Sequence, residues 1–317
     1  MAAISDHRVS FEQMMPLGPS RGDVRGASDP DDELEGTPTR GVTPAQALAG
    51  RTGYRSDFIE EFPIALPSAS KWARDIAPVA DRSDGILPYT HFSLMISKSR
   101  RLALFAAVNV DGKRAMKIKR THDRWLYDGR LERSHQVGNE LYVSTPLDRG
   151  HLVRREDPVW GPDAETANAD TFHFTNCAPQ HEDLNERIWL GLENYILANV
   201  RADKMRVSVF TGPVLAKNDP SFRGVKIPRR FWKVVAFLLP DGRRSATGYM
   251  ISQAGMITDL EYVFGAYKTF QIPITMIEKV TGLNFGELSA YDGFSSKQES
   301  VARPFAVEVR DWGDIRV

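Results

Sequence analysis

The sequence predicts an α+β fold in which an antiparallel sheet is packed by helices. Strand-like runs outnumber helical ones, one amphipathic helix is clear, and no repeat of roughly 20 to 50 residues is visible. The 317 residues allow one large domain or two small ones. Charged residues make up 26% and hydrophobic residues 42%, and no stretch approaches the ~18 consecutive apolar residues of a membrane-spanning helix. We therefore expect a protein without membrane contact.

The chain divides into three parts by composition. Residues 1–85 are predicted to be an acidic, largely disordered tail that continues into an extended arm, because residues 1–50 are rich in Gly, Pro, Asp and Ser and show no hydrophobic period. Residues 1–85 hold 9 basic and 14 acidic side chains, which leaves 32 basic and 27 acidic ones in the remainder. A folded domain is predicted over 86–290 and a C-terminal extension over 291–317. The basic excess of the remainder slightly favours a polyanion as partner.

Strands are predicted at both ends of the folded part. The runs THFSLMIS and RLALFAAVNVDGK predict two strands that are joined by a basic turn, and the second strand is followed by an Asp-Gly turn at Asp111 and Gly112. Two further strands start near Arg206 and Arg229 and end in Gly-Pro and Pro-Asp-Gly, which are typical of turns.

Two helices are predicted from the spacing of apolar residues. Leu184, Ile188, Leu192 and Ile196 recur every four residues and give one apolar face. A second helix is predicted over Ile274–Thr281, where apolar residues recur at three-residue spacing.

A single cysteine, Cys177, excludes an internal disulfide framework and a zinc site built from several cysteines. We interpret it as a small core residue. The N-terminal residues are polar and acidic where a signal peptide would need a basic segment followed by an apolar run. Both observations favour a reducing compartment, and we expect a cytoplasmic location.

The stretch TPLDRGHLVRREDPVWG carries the first candidate site. His151 follows Asp148 by three residues, with Arg149 and Gly150 between them. An imidazole with an ordinary pKa of ~6.5 can take a proton from water at cellular pH, and a neighbouring guanidinium can hold a phosphate. The pattern favours phosphodiester cleavage. For such a motif by itself, the alternative is a core histidine beside a local ion pair.

The second candidate segment is FHFTNCAPQHEDLNERIWLGLENYI, which continues into the first predicted helix. Asn185, Trp189 and Glu193 lie four residues apart, beside the apolar face. At ~1.5 Å rise per residue, Asn185 and Glu193 are ~12 Å apart along the axis, so both cannot bind one ion at ~2.1 Å. One of them can bind a metal directly and the other through a water, which suits Mg²⁺. The alternative is that both side chains solvate an exposed helix face.

Together the two segments resemble the sugar-nonspecific DNA/RNA endonuclease family, the ββα-metal or His-Me finger nucleases. The family hallmark Asp-Arg-Gly-His is present unaltered over 148–151. About 25 residues later, a second family block is matched by Asn176, Pro179, Gln180, Leu184, Asn185, Trp189, Leu192 and Glu193. Weaker similarity extends over roughly residues 87–290. The resemblance implies a ββα-metal fold.

The resemblance also implies a role for each of these side chains. His151 is expected to be the general base that activates water. Asn185 is expected to be the direct protein ligand of a hydrated Mg²⁺, with Mn²⁺ as a substitute, and Glu193 would hold a water on that metal. Arg149 would contact the phosphate or help to build the site, and Asn176 would orient the centre.

The family also has an arginine ahead of an aromatic residue and an acid, before the Asp-Arg-Gly-His motif. Arg120 fits this position best by spacing, and Arg124 is the alternative, since Trp125 and Asp128 follow. The surrounding basic stretch is a candidate for binding a nucleic-acid backbone: Lys113, Arg114, Lys117, Lys119, Arg120 and Arg124. A second basic stretch is a weaker candidate: Arg223, Lys226, Arg229, Arg230 and Lys233. As an alternative, either stretch is a charged strand edge.

The sequence thus predicts a Mg²⁺-dependent endonuclease that cleaves DNA, RNA or both with little sequence preference and leaves 5′-phosphate ends. No motif that reads bases, such as a zinc finger, is found. The alternatives are a catalytically idle nucleic-acid-binding or scaffold module that keeps the nuclease fold, and a phosphodiesterase for small nucleotides. A free nuclease is hazardous to a cell, so we expect an inhibitor, an activating partner or masking by residues 1–85. A homodimer is also considered.

Overall fold

The computed structural model describes residues 41–119, 124–181, 190–253, 269–293 and 307–308, and for 190–195, 269 and 307–308 it describes the backbone alone. Within these ranges the helices are α1 (Asn139–Tyr142), α2 (Ala164–Asp170), α3 (Leu190–Ala202) and α4 (Ile274–Thr281). No helix in these ranges combines the length and the apolar character that are needed to cross a membrane.

An eight-stranded antiparallel sheet forms the centre of the fold. Its strands are β2 (Ile86–Tyr89), β3 (Phe92–Ser97), β4 (Leu102–Asp111), β8 (Arg206–Pro213), β11 (Arg230–Leu238), β12 (Arg244–Ser252), β13 (Thr269–Ile272) and β14 (Val307–Glu308). Their spatial order is β14-β13-β12-β11-β8-β4-β3-β2, and every neighbouring pair is antiparallel. The predicted α+β class and antiparallel sheet are confirmed.

Six further strands form three two-stranded pairs. They are β1 (Val42–Thr43), β5 (Tyr127–Asp128), β6 (Leu147–His151), β7 (Cys177–His181), β9 (Ser221–Phe222) and β10 (Val225–Lys226). β1 pairs with β5 in parallel, whereas β6 pairs with β7 and β9 with β10 in antiparallel fashion.

Both faces of the central sheet are covered, so its middle strands are buried along their length. All ten residues of β4 are buried. Successive residues of a strand point to opposite faces. Val209 and Phe231 accordingly belong to one hydrophobic cluster, while their neighbours Phe210 and Trp232 belong to another. The long apolar runs of the sequence reflect this double burial.

The first face is covered by α3 and by the loop that follows β6. Leu197 and Val200 of α3 are buried there together with Leu152. Ile196, which the spacing predicts in the apolar face, is only half-buried. The predicted positions Leu184, Ile188 and Leu192 lie outside the described side chains.

Gly112 follows the end of β4 and also makes a close contact with α3. As predicted, β3 and β4 are joined by the basic segment 98–101, and β4 ends at Asp111. A Cβ atom at Gly112 would lie 1.9 Å from the carbonyl oxygen of Val200. The glycine therefore allows the backbone of α3 to approach the end of β4, which a side chain would prevent.

The arm packs against the second face. Tyr54, Phe58 and Phe62 are buried in the cluster of that face. The backbone N–H of Arg55 donates to Asn109 Oδ1 at 2.7 Å, and Asn109 Nδ2 donates to the carbonyl of Arg55 at 3.2 Å. A polar residue of β4 thus joins the arm to the sheet. The division of the chain at 85 and 290 stays a prediction.

Replacement of Phe62 tests whether the arm contributes to the core. The side chain is 3% exposed and meets the Tyr291 ring edge-on at 5.1 Å. We expect Phe62→Ala to lower the free energy of unfolding by about 3–5 kcal/mol, because it leaves a cavity. Val42→Ala is the control, since Val42 is 51% exposed. Urea denaturation measures both, and equal effects of the two substitutions would contradict the packing of the arm.

Candidate functional site

The two motifs singled out in the sequence form neighbouring strands. In the β6–β7 ladder, Asp148 lies opposite Gln180, Gly150 opposite Ala178, and His151 opposite Cys177. The residues between the two motifs form the long connection of this hairpin. Antiparallel pairing therefore places the Asp-Arg-Gly-His motif directly beside the segment that contains Pro179 and Gln180.

Gly150 is required by the way in which the two strands meet. A Cβ atom at this position would lie 2.1 Å from Gln180 Oε1 and 2.3 Å from Gln180 Cδ. Any other residue would displace the Gln180 side chain, which is fully buried. Glycine is thus part of the motif for steric reasons.

Two aromatic rings hold the imidazole of His151. Its centre lies 4.7 Å from that of Trp125 and 5.2 Å from that of Phe172, which it meets edge-on. Trp125 and Phe172 also contact each other edge-on at 5.5 Å. Packing on two sides restricts the plane of the imidazole, and a general base needs a fixed position relative to the proton that it removes.

Asn176 braces the backbone next to His151. Its Oδ1 accepts a hydrogen bond from the N–H of Val153 at 2.9 Å, and its Nδ2 donates to the carbonyls of Val153 and Thr171 at 2.9 and 3.0 Å. The residue is fully buried. A side chain enclosed in this way cannot touch a substrate. Its geometry suits the orienting role alone.

Arg149 is held by α1. Its Nε donates to Asn139 Oδ1 at 3.0 Å, and its guanidinium carbon lies 5.8 Å from the centre of the Tyr142 ring. Alternate residues of a strand point to the same side, so Arg149 and His151 leave β6 on one face. The structure thus brings together the predicted phosphate contact and the predicted base.

Three predicted site residues are not placed. Arg120 and Asn185 lie outside the described residues, and Glu193 belongs to α3 with its side chain outside the description. Arg124, the alternative to Arg120, is exposed and lies near Gly41.

The described side chains do not by themselves complete a metal site. No cluster of three His, Cys, Asp or Glu side chains that could hold an ion is found in the described ranges. The buried carboxamide of Gln180 has no hydrogen-bond partner among the described residues. A buried amide in this condition costs free energy unless a water or ligand satisfies it. Gln180 lies opposite Asp148, so its amide is on the face of the hairpin away from Arg149 and His151 and does not line the position beside the proposed base.

A buried ion pair supports the segment that leads to Asn176. Arg130 donates to both carboxylate oxygens of Asp128, with Nη2 2.6 Å from Oδ2. The Tyr89 hydroxyl donates to Asp128 and lies 2.7 Å from Thr175 Oγ1. Burial works to raise the pKa of Asp128, but the hydrogen bonds and the charge of Arg130 lower it overall. The ionised carboxylate thus holds the Tyr89 hydroxyl of β2, and this hydroxyl contacts Thr175, the residue before Asn176.

Gln253 is a structural residue of the site that the sequence did not reveal. Its Oε1 accepts a hydrogen bond from the N–H of His181 at 2.9 Å, and its Nε2 donates to the carbonyls of Pro179 and Pro228 at 3.2 and 2.6 Å. This one carboxamide brackets Gln180 and joins β7 to the end of β12. A glutamine that follows a strand has no local pattern to distinguish it from a surface residue.

Cys177 is a core residue, as predicted, and His173 is a structural residue as well. Burial raises the pKa of Cys177 to about 12, which leaves the thiol protonated and unreactive. His173 Nδ1 lies 2.9 Å from the carbonyl of Asp170, so Nδ1 donates, and Nε2 accepts from the Thr43 hydroxyl at 2.9 Å. Burial lowers the pKa of His173, which favours this neutral form.

The second basic stretch does not form one exposed face. Lys233 is buried in β11, where its Nζ donates to Thr211 Oγ1 at 3.0 Å. Arg223 donates to the carbonyls of Glu140 and Val143 at 3.1 and 2.8 Å. The inclusion of Lys233 in a backbone-binding surface is wrong, because the covered sheet buries both faces of β11.

Comparison with known proteins points to one family. The family model described as DNA/RNA non-specific endonuclease matches residues 77–292. Protein y4fB of Sinorhizobium fredii is 38% identical over 289 residues, which cover 83% of this chain and 43% of that protein. Mitochondrial endonuclease G of Homo sapiens is 28% identical over 175 residues, which cover 50% of this chain and 54% of that protein. The chain spans about half the length of these relatives.

A solved structure has a similar fold. A chain in the crystal structure of the EndoG/EndoGI complex matches with a TM-score of 0.52 and 18% identity, over 71% of this chain and 94% of that chain. At this level of identity the similarity concerns the fold alone.

The buried His173 predicts a loss of stability in mild acid. Above pH ~6.5 its ring is neutral in both states; below that pH the unfolded chain takes up a proton that the folded protein excludes. The free energy of unfolding should therefore fall as pH decreases from 7 to 5, with up to about 2 kcal/mol from this residue. His173→Gln should lose less stability over the same range in urea titrations. Identical pH profiles would exclude this contribution.

Removal of the Gln253 carboxamide should loosen β7. Gln253→Leu leaves one N–H and two carbonyls without their partner, so we expect a loss of at least ~2 kcal/mol in the free energy of unfolding. Hydrogen exchange of the His181 amide should accelerate relative to that of Val153, which Asn176 holds independently. Unchanged exchange at His181 would show that Gln253 does not hold this strand.

Proposed function

The chain belongs to the DNA/RNA non-specific endonuclease family, and on this basis we propose that it is a metal-dependent endonuclease. Its substrates would be DNA, RNA or both, cleaved with little sequence preference. The observation that carries the proposal is the β6–β7 hairpin, in which His151 and Arg149 share one face while Asn176 braces the adjacent backbone. This arrangement supplies a fixed base next to a cation, which hydrolysis of a phosphodiester requires.

The ββα-metal arrangement is part of the same proposal. The β6–β7 hairpin is followed along the chain by α3, so two strands and a helix occur in the order of that motif. In the proposed site, Asn185 and Glu193 would bring their side chains from the helix to the hairpin.

His151 would act as the general base. It would take a proton from a water molecule, whose oxygen attacks phosphorus while the bond from phosphorus to the 3′ oxygen breaks. The 3′ oxygen would leave and take up a proton, so the products are a 5′-phosphate and a 3′-hydroxyl. Trp125 and Phe172 would keep the imidazole in place throughout.

A hydrated Mg²⁺, with Mn²⁺ as a substitute, would complete the site. Asn185 would bind it directly, and Glu193 would hold it through a water. When bound, such an ion stabilises negative charge on the phosphate and on the leaving oxygen.

Arg149 would hold a phosphate oxygen, with α1 fixing its guanidinium. A second phosphate contact is proposed from Arg120, with Arg124 as the alternative. Arg124 directly precedes Trp125, which contacts His151, and this position supports a role close to the base.

We include a regulatory partner, a homodimer and a cytoplasmic location in the proposal. An inhibitor is supported by the similarity in fold to a chain of a complex that concerns EndoG inhibition. Light scattering would test the dimer, co-purification from the native host would test the partner, and cell fractionation would test the location.

His151→Ala tests the proposed reaction. Purified protein is incubated with supercoiled plasmid and with RNA, in Mg²⁺ and in EDTA. We expect cleavage of at least one substrate in Mg²⁺ alone, and a loss of about 100-fold or more in His151→Ala, since general-base catalysis contributes ~10²–10⁴-fold.

His173→Gln serves as a matched control, because both ring nitrogens of His173 are bound inside the fold. Its activity should stay within a few-fold of that of the unaltered protein. Undiminished cutting by His151→Ala would remove the base assignment. Salt-sensitive binding without any product in Mg²⁺ or Mn²⁺ would favour the idle binding module.

A further inference from the structure

A charged cleft lies at one end of the central sheet, separate from the β6–β7 hairpin. It has a volume of about 370 Å³ and lies where β4 ends at Asp111 and β8 begins at Arg206, two residues that pair in the sheet. Arg55 and Phe58 of the arm form one side, and Lys113 lies beyond the end of β4. None of the residues that line it belongs to the hairpin.

The cleft carries a surplus of positive charge. Five basic side chains and three carboxylates line it. Each carboxylate is paired with an arginine of the same cleft: Arg55–Asp57 at 3.0 Å, Arg114–Asp111 at 2.7 Å and Arg206–Glu60 at 3.3 Å. Lys113 and Lys204 are exposed, and neither makes an ion pair or a side-chain hydrogen bond with any described residue. Two positive charges therefore remain available to an anion.

Two of the arginines are fixed before any ligand arrives. Asp111 is 2% exposed, and its Oδ2 lies 2.7 Å from Arg114 Nε and 3.8 Å from Arg206 Nε. Arg114 also lies over the Trp160 ring, 4.4 Å from its centre, and Arg206 lies over Phe58 at 5.6 Å. Preorganised donors lose less conformational entropy on binding. The cleft thus places two oriented guanidinium groups beside two unpaired lysines.

A basic path connects this cleft with the loop that follows His151. The chain from Arg114 runs along that loop, because Ala115 bridges to Trp160, Met116 N–H donates to the carbonyl of Val159, and Arg155 donates to the carbonyl of Ile118. Lys117 and Lys119 are exposed on this path. At the length of an extended chain, the four residues 115–118 of this path cover ~13 Å. Positive side chains therefore continue from the cleft towards the hairpin.

We infer that the cleft binds a backbone phosphate of the nucleic-acid strand, at a distance from the bond that is cleaved. The inference rests on the proposed function, which supplies a nucleic acid as the substrate. Charge-assisted donors from arginine and lysine are the usual partners of a phosphodiester, and the unpaired charge here exceeds that of one phosphate. At ~3.4 Å per phosphate along one strand, a path of ~13 Å spans roughly four nucleotides. Longer strands therefore gain a contact that short ones lack.

The double substitution Lys113→Ala and Lys204→Ala tests this site in the full-length chain. Binding of labelled strands of about 20 and about two nucleotides is measured by fluorescence anisotropy in EDTA, so that no cleavage occurs. For the long strand we expect Kd to rise about tenfold at ~0.1 M salt. The slope of log K against log salt should become shallower by ~0.7–0.9, the contribution of one phosphate contact. Binding of the short strand should not change.

Two further variants serve as controls. Lys71→Ala with Lys98→Ala removes two exposed lysines that do not line the cleft, and should leave both affinities unchanged. Lys113→Arg with Lys204→Arg keeps the charge and should retain the affinity of the unaltered chain for long strands. Thermal unfolding confirms that all variants are folded.

The result that would overturn the inference is a cleft variant that binds the long strand with the affinity and salt slope of the Lys71/Lys98 control. Equal weakening of short and long strands would also overturn it, since the contact would then lie close to the scissile bond. Failure of the proposed function gives a different result, in which the unaltered chain binds the long strand but cuts nothing in Mg²⁺. An unaltered chain that does not bind the long strand overturns both.

Discussion

The antiparallel pairing of β6 with β7 is the contact on which the site depends. It places His151 and Arg149 beside a segment that is far from them in the chain, and it works only because Gly150 leaves room for the Gln180 side chain. Both strands are five residues long and lie outside the main sheet. A ladder of this length is weak by itself, so the hairpin needs support from its surroundings.

That support comes from buried carboxamides, which can donate and accept at once. Asn176 holds the chain after His151, and Gln253 holds both sides of Gln180. Each replaces backbone partners that a longer ladder would have supplied, so these polar groups can be buried at little cost. The Asp128–Arg130 pair supports this arrangement indirectly. It holds the Tyr89 hydroxyl, which contacts Thr175 in the turn that leads to Asn176. The predicted base is thus held by a connected polar scaffold and by two aromatic walls.

The charges of this protein have two distinct functions. The chain has 41 basic and 41 acidic side chains, and many of its arginines pair with carboxylates that shape the fold. Lysines are distributed differently: Lys233 is buried, whereas Lys113, Lys117 and Lys119 are exposed along one path. Electrostatic attraction to a polyanion depends on such local surplus and not on net charge. A neutral total is therefore compatible with a nucleic-acid substrate.

The sequence by itself determined the elements whose signal is local. The apolar runs of β3 and β4 and the period of α4 identified strands and helix, because burial of a face repeats along the chain. The four residues 148–151 likewise identified a candidate base and its neighbours. Only the tertiary structure decided that Gln253 brackets Gln180, that Lys233 is buried, and that Lys204 and Lys113 line the same cleft. These relations join residues distant in the chain, and the free energy of such a contact depends on how the whole sheet is covered, which leaves no periodic trace in the sequence.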